Sequence, residues 1–187
     1  MKKFNYFSLM LLVAAALVAG CKGKQKIPAG EKEVVVPCSG PDYFTTSKFF
    51  RANSIGESSD QVTSKKKALT NARNELAQAI NTTVKTVTDN YVNSREMNNK
   101  EEVEERFESL NREVVDQTLS GIRTICEKLV KTDQATYKTY IALELSADEL
   151  VSKYNERLSK DERLKIDYDY EKFKETFEKE MEKMGKN

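Results

Sequence analysis

Between Leu69 and Tyr91 the apolar residues recur every three or four positions: Leu69, Ala72, Leu76, Ile80, Val84, Val87 and Tyr91. That spacing lays one apolar stripe along a helix. Lys65, Lys66, Arg73, Glu75, Asn81 and Lys85 fall off the stripe. The helix is therefore amphipathic, and its stripe must be covered by something else in the chain. Ser59 or Asp60 suits the N-cap. The pattern predicts a helix over about 60–93, although the Thr-rich stretch near 82–88 has poor helix propensity.

The flanking segments supply the cover. Tyr43-Phe44 and then Phe49-Phe50-Arg51-Ala52-Asn53-Ser54-Ile55-Gly56 read as a strand near 48–56, ended by Gly56. A second helix is expected over about 99–119, with Val103, Phe107, Leu110, Val114 and Thr118/Leu119 as its stripe. Glu101, Glu102, Glu104 and Glu105 crowd its first turns, where the helix dipole favours negative charge, and Gly121 is a stop. Residues 122–130 and 136–145 read as two strands. In the second, Tyr137, Thr139, Ile141, Leu143 and Leu145 share one face, and Lys138, Tyr140, Ala142 and Glu144 the other. Lys131-Thr132-Asp133-Gln134 is a link of hairpin length. Ser146-Ala147-Asp148-Glu149 is a capping box that opens a helix over about 147–158. Tyr170, Phe173, Phe177, Met181 and Met184 recur at helical spacing in the tail. The fold class expected is α+β: a three-stranded antiparallel sheet packed by long helices, with a helical C-terminal extension.

The run Ala68-Leu69-Thr70-Asn71-Ala72-Arg73-Asn74-Glu75-Leu76-Ala77-Gln78-Ala79-Ile80 follows a strand ending in Gly and precedes the late strand Tyr137-Lys138-Thr139-Tyr140-Ile141-Ala142-Leu143. Over residues 48–145 this resembles the Lpp-twenty family of bacterial envelope lipoproteins, and a similar module at the N-terminus of a flagellar T-ring assembly protein. The resemblance implies a long helix packed across a small antiparallel sheet, an envelope location and a binding or structural role. It offers no catalytic residues. The Glu-rich second helix and residues 146–187 lie outside it, and no flagellar role follows.

The N-terminus reads as an address. Lys2 and Lys3 precede an uncharged stretch from Phe4 to Gly20 built on Leu9-Met10-Leu11-Leu12-Val13-Ala14-Ala15-Ala16-Leu17-Val18. That is the layout of a signal peptide, and it is shorter than a comfortable membrane span of about 20 apolar residues. It ends Leu17-Val18-Ala19-Gly20-Cys21, which looks like a lipobox, with small residues ahead of a cysteine that becomes the lipidated N-terminus. Two or three acyl chains, at about 0.8 kcal/mol per buried methylene, anchor a protein firmly. Four segments are expected: a signal peptide at 1–20, the lipidated Cys21 with a flexible Pro- and Gly-rich tether to 42, an α+β domain at 43–146 and the helical extension at 147–187. Lys22 rather than Asp after the cysteine favours the outer membrane, and the lack of an acidic run there favours a periplasm-facing location. Removal of Lys2 and Lys3 turns a net charge of +1 into about −1, which gives no basis for nucleic-acid binding.

Composition narrows the chemistry. The chain has 187 residues and His 0, so Ser-His-Asp and Cys-His catalysis are excluded within it, and the commonest zinc ligand is missing. Cys21 assigned to lipid leaves Cys38 and Cys126 as an even pair for an oxidising compartment. Either they bridge, closing a long loop worth about 4–5 kcal/mol on the chain-entropy account, or they are two thiols. There is no Cys-x-x-Cys for redox chemistry. Asp161-Glu162 and the pair Asp167 and Asp169 around Tyr168 offer carboxylates for a metal or acid–base site, against which stand solvated helix starts, and Lys65-Lys66-Lys67 offers a basic triplet for nucleic acid or lipid headgroups, against which stands a solvated face. The tail stripe of Tyr170, Phe173, Phe177 and Met181 either docks on the domain itself or faces a partner. The expected function is a non-enzymatic envelope lipoprotein without cofactor or metal, a structural or protein-interaction module whose partners are the membrane, through Cys21, and an envelope protein. The alternative is a periplasmic carrier of an apolar ligand or lipid, which needs a Phe- and Tyr-lined cavity between sheet and helix.

Overall fold

The computed structural model describes Pro28 and residues 30–94, 100–161 and 168–186. One compact unit spans Val35–Asn187, apart from a short unit ending at Val34. In the latter, the described residues are exposed and Glu31 N–H donates to the Pro28 carbonyl at 3.2 Å. The signal-peptide stretch 1–20 and Cys21 lie outside the described residues.

Among the described residues, the body holds three strands and four helices: β1 (Phe49–Ser58), α1 (Gln61–Asn93), α2 (Lys100–Thr118), β2 (Arg123–Lys131), β3 (Tyr137–Ser146), α3 (Ala147–Leu158) and α4 (Tyr170–Met184). The sheet is antiparallel throughout, in the order β1-β3-β2. This is the expected α+β class. Alternation sorts the sheet's two faces. On one, Phe50, Ala52 and Gly56 of β1 pair with Leu145, Leu143 and Thr139 of β3, and all are buried under α1. Among the described residues, the other face carries no helix.

Helix α1 starts where Asp60 accepts a hydrogen bond from Thr63 N–H at 2.7 Å, which also holds the Asp60 carboxyl below its ordinary range. The Thr-rich stretch stays helical because its hydroxyls bond back one turn: Thr82 to Gln78, Thr83 to Ala79 and Thr86 to Thr82, at 2.9–3.0 Å. The buried stripe is Ser64, Ala68, Ala72, Leu76, Ile80, Val84, Val87 and Tyr91. It enters one residue earlier than the sequence periodicity indicates, with Ala68 inward and Leu69 only half-buried.

Gly56 explains that shift. It does not end the strand, as expected, but lies within β1 opposite Thr139. A Cβ there would collide with the Ser64 carbonyl oxygen and the Ala68 nitrogen, and would come within 2.9 Å of Lys67 Cβ. Glycine lets the first turns of α1 lie directly on the strand, and only small residues fit on the helix side.

Two boundaries also differ from expectation. Residues 35–42 belong to the body rather than to a free tether, because Cys38 is fixed to β2 and Pro41–Tyr43 forms a 3-10 turn. Cys38 at φ 56° and Gly40 at φ 103° redirect the chain there. Residues 147–187 share the core of residues 43–146 rather than extending from it. Phe173, Phe177 and Met181 of α4 and Leu150, Tyr154 and Leu158 of α3 join one buried cluster with the α1 and α2 stripes.

Candidate functional site

The tail stripe named as a partner face is occupied within the body. Phe173 sits at the centre of an aromatic cluster, its ring 5.6 Å from Tyr91, 5.8 Å from Tyr154, 5.9 Å from Tyr168 and 6.2 Å from Phe107. Phe177 meets Phe50 of β1 edge-on at 6.2 Å. Phe173, Phe177 and Met181 are buried and Tyr170 is half-buried. A face packed this closely is not free to receive a partner. The Asp169 N–H donates to Tyr91 Oη at 2.7 Å, and the Asp169 carboxylate accepts from Lys172 N–H at 3.1 Å, which joins the start of α4 to α1.

The same rings occupy the space an apolar ligand would need. Tyr154 donates to Asn111 Oδ1 at 2.7 Å, and burial pushes its phenol well above the ordinary range. Clefts do flank Met184. One, of about 450 Å³, is walled by Glu75, Gln78, Ala79, Thr82, Thr83, Thr86 and Glu180. The other, of about 510 Å³, runs from Tyr43-Phe44-Thr45 across β1 to Gly185. Both are open to solvent, and neither is lined by the aromatic cluster.

The two described carboxylates of this group, Asp161 and Asp169, serve different elements. Asp161 is buried against Arg106 of α2, whose Nε and Nη2 donate to its Oδ2 at 2.6 and 2.5 Å. Asp169 caps α4, while Glu162 and Asp167 lie outside the described residues. Among the described residues, no three His, Cys, Asp or Glu side chains are placed to hold a metal ion. The lysine triplet divides: Lys65 pairs with Glu127 of β2 at 2.8 Å, and Lys67 donates to the Glu57 carbonyl at 3.1 Å. Glu57 also accepts from Thr136 at 2.7 Å and faces Lys138 at 3.4 Å, which together hold its carboxyl below the ordinary range.

Cys38 and Cys126 do come together. Their sulfurs are 2.08 Å apart and their Cα atoms 5.5 Å, across 88 residues of chain. The bridge lies on the sheet face without helices. Cys126 follows a bulge that begins at Thr124, pairs with Ala142 and points to that side. Next to it, Arg51 grips Glu144 at 2.7–2.8 Å and donates to the carbonyls of Asp42 and Phe44 at 3.3 and 3.4 Å. Residues 38–45 thus strap one end of this face and bury Ala142 and Glu144. Sequence reasoning singled out the cysteines but missed Arg51 and Glu144; their one signal was a charged residue on the polar face of each strand.

Neither a family model nor a curated protein matches this sequence. Among the described residues, no helix is long and apolar enough to cross a membrane.

Proposed function

We propose that the chain is a bacterial envelope lipoprotein of the Lpp-twenty kind, held in the outer membrane by acyl chains on Cys21 and facing the periplasm. Its body acts as a structural or protein-interaction module rather than as an enzyme. The observation that carries this reading is the order of charge, uncharged apolar run, small residues and cysteine from Lys2 to Cys21. The bonding distance between Cys38 and Cys126 supports it independently, since such pairs persist in oxidising compartments outside the cytosol. The aromatic core, filled by its own side chains, favours a module over a carrier of apolar ligands.

Radiolabelled palmitate tests the anchor. Label should enter the wild-type chain and be lost in Cys21→Ala; label that persists in the variant refutes lipidation at this residue. Crosslinking in cells with the acylated protein, followed by partner identification, tests the interaction role. A body that crosslinks to no envelope protein argues against it.

A further inference from the structure

Strand β2 is an open edge. The order β1-β3-β2 gives it one neighbour, and among the described residues no backbone hydrogen bond reaches it from its other side. Helix α1 packs on β1 and β3, and every residue of β2 except Cys126 is exposed. Ile125, Leu129 and Val130 are among them, at 37, 41 and 39 %. A row of free N–H and C=O groups flanked by aliphatic side chains is a template for another strand. Lysines on an edge normally keep such a strand away, so the charges that Lys128 and Lys131 would meet decide what can pair here.

The register with β3 sorts the side chains. Glu127, Leu129 and Lys131 lie opposite Ile141, Thr139 and Tyr137 and share one face, while Cys126, Lys128 and Val130 share the other. The one irregularity lies between Thr124 and Cys126, so the strand alternates regularly from there to Lys131. A second copy of β2, antiparallel and related by a two-fold axis normal to the sheet, keeps each side chain on its own face. Opposed residues therefore come from one set, and the pairing must centre on a single residue. Centred on Glu127, it sets two carboxylates together, and on Lys128 two ammonium groups. Centred on Val130, it sets Glu127 against Asp133; on Cys126, Glu127 against Ile125. Centred on Leu129, it sets Leu129 against Leu129, Glu127 against Lys131 at both ends, and Val130 against the apolar stem of Lys128. Directly opposed like charges destabilise a strand pair and opposite charges stabilise it. Charge and apolar contact thus select the same register. The present partners of these two groups leave room for it. Glu127 meets Lys65 of its own chain at 2.8 Å through one carboxylate oxygen, and Lys131 lies over the Tyr137 ring at 5.7 Å. A carboxylate accepts from more than one donor, and an ammonium has three protons to give.

We propose that β2 pairs antiparallel with β2 of a second copy of this chain, centred on Leu129, so that two sheets become one across reciprocal Glu127–Lys131 pairs. The pairing does not depend on the anchor at Cys21.

Full-length Lys128→Cys, Leu129→Cys and Val130→Cys proteins, purified in detergent, are oxidised with copper–phenanthroline. In the proposed register the two Leu129 positions face each other with Cα atoms about 4.5–5.5 Å apart, within disulfide reach. Two Lys128 or two Val130 positions are offset along the strands and lie more than about 7 Å apart. L129C should therefore form a disulfide dimer, and K128C and V130C should not. Adding Glu127→Lys to L129C should lower the dimer yield about tenfold, because two attractive pairs become repulsive. Adding Lys131→Glu as well should restore it, which a merely structural role of Glu127 beside Lys65 would not do. Wild-type protein gives a reading that needs no variant. In a mixture of isotope-labelled and unlabelled chains, carbodiimide should join Glu127 of one kind to Lys131 of the other. Within one strand these residues are about 13 Å apart and cannot be joined. A dimer from K128C or V130C equal to that from L129C overturns the proposal. So does a dimer that Glu127→Lys leaves unchanged or that Lys131→Glu fails to rescue, and so does wild-type protein in which carbodiimide links Glu127 to Lys65 alone.

Discussion

Ser64 donates its hydroxyl proton to the carbonyl of Gly56 at 2.9 Å, across the closest approach of α1 to the sheet. Its hydroxyl also lies 2.8 Å from Thr139 Oγ1. A serine has one hydroxyl proton, and Gly56 receives it, so Thr139 must be the donor in the second bond. Both side chains are fully buried, so each hydrogen bond offsets a desolvation cost that would otherwise stand. Ser64→Ala should destabilise the body by about 1–3 kcal/mol, through the lost bond to the Gly56 carbonyl and a Thr139 hydroxyl left without its partner. Gly56→Ala should cost about 3 kcal/mol or more, because the colliding atoms are backbone and cannot turn aside. Urea unfolding of both variants checks this, and a Gly56→Ala protein as stable as wild type would mean α1 does not sit this close to β1.

The aromatic cluster predicts that α4 is structural. Phe173→Ala removes the ring that touches Tyr91, Phe107, Tyr154 and Tyr168. The expected loss is about 3–5 kcal/mol, a fall of roughly 10 °C or more in melting temperature for a body of this size. Ending the chain at Lys165 should cost more, since Phe177 and Met181 leave the core as well. Calorimetry decides the matter: a truncated protein with an unchanged transition would return the stripe to the role of a partner face.

The Cys38–Cys126 pair predicts a redox-dependent stability. The bridge spans 88 residues, and on the chain-entropy account it is worth about 4–5 kcal/mol. Reduction, or Cys38→Ser with Cys126→Ser, should lower the urea midpoint accordingly and free residues 35–37 for proteolysis. The readout is the midpoint with and without reductant. Identical midpoints, together with two titratable thiols in the Cys21→Ser protein, would show that the pair is unbridged.

Local signals made most of the elements legible in the sequence. The period of α2, the capping box at Ser146 and the tail spacing from Tyr170 to Met184 each state their own secondary structure, and the observed bounds fall within a few residues of them. Contacts between distant segments were less legible. Gly56 looked like a strand end because glycine commonly stops strands. Its actual role depends on a helix backbone that passes over it, and nothing adjacent in sequence records that. Leu69 looked inward because it is larger than Ala68, yet the close approach at Gly56 admits only the smaller side chain. Likewise, a tail stripe left exposed and one buried in the core would share a single sequence pattern. What distinguishes them is that Tyr91, Phe107 and Phe50 need cover, which only the assembled fold shows.

Tyr154 carries the pH prediction. A phenol ionises near pH 10 in the unfolded chain, and burial holds it higher in the fold. The folded state therefore favours the neutral form. Stability from this group is intact below about pH 10 and falls as pH rises past that value, because the unfolded chain releases a proton that the folded one keeps. Tyr154→Phe loses the hydrogen bond to Asn111, so at about pH 8 it should be less stable than wild type by roughly 1 kcal/mol. It also has no phenol to ionise at that site. Its deficit should shrink between about pH 9 and pH 11, while Tyr168, raised chiefly by its own burial, still titrates in both proteins. Paired urea midpoints across that range measure the deficit directly. A constant gap would mean that Tyr154 ionises in the fold as readily as in water, and that the centre of the aromatic cluster is open to solvent.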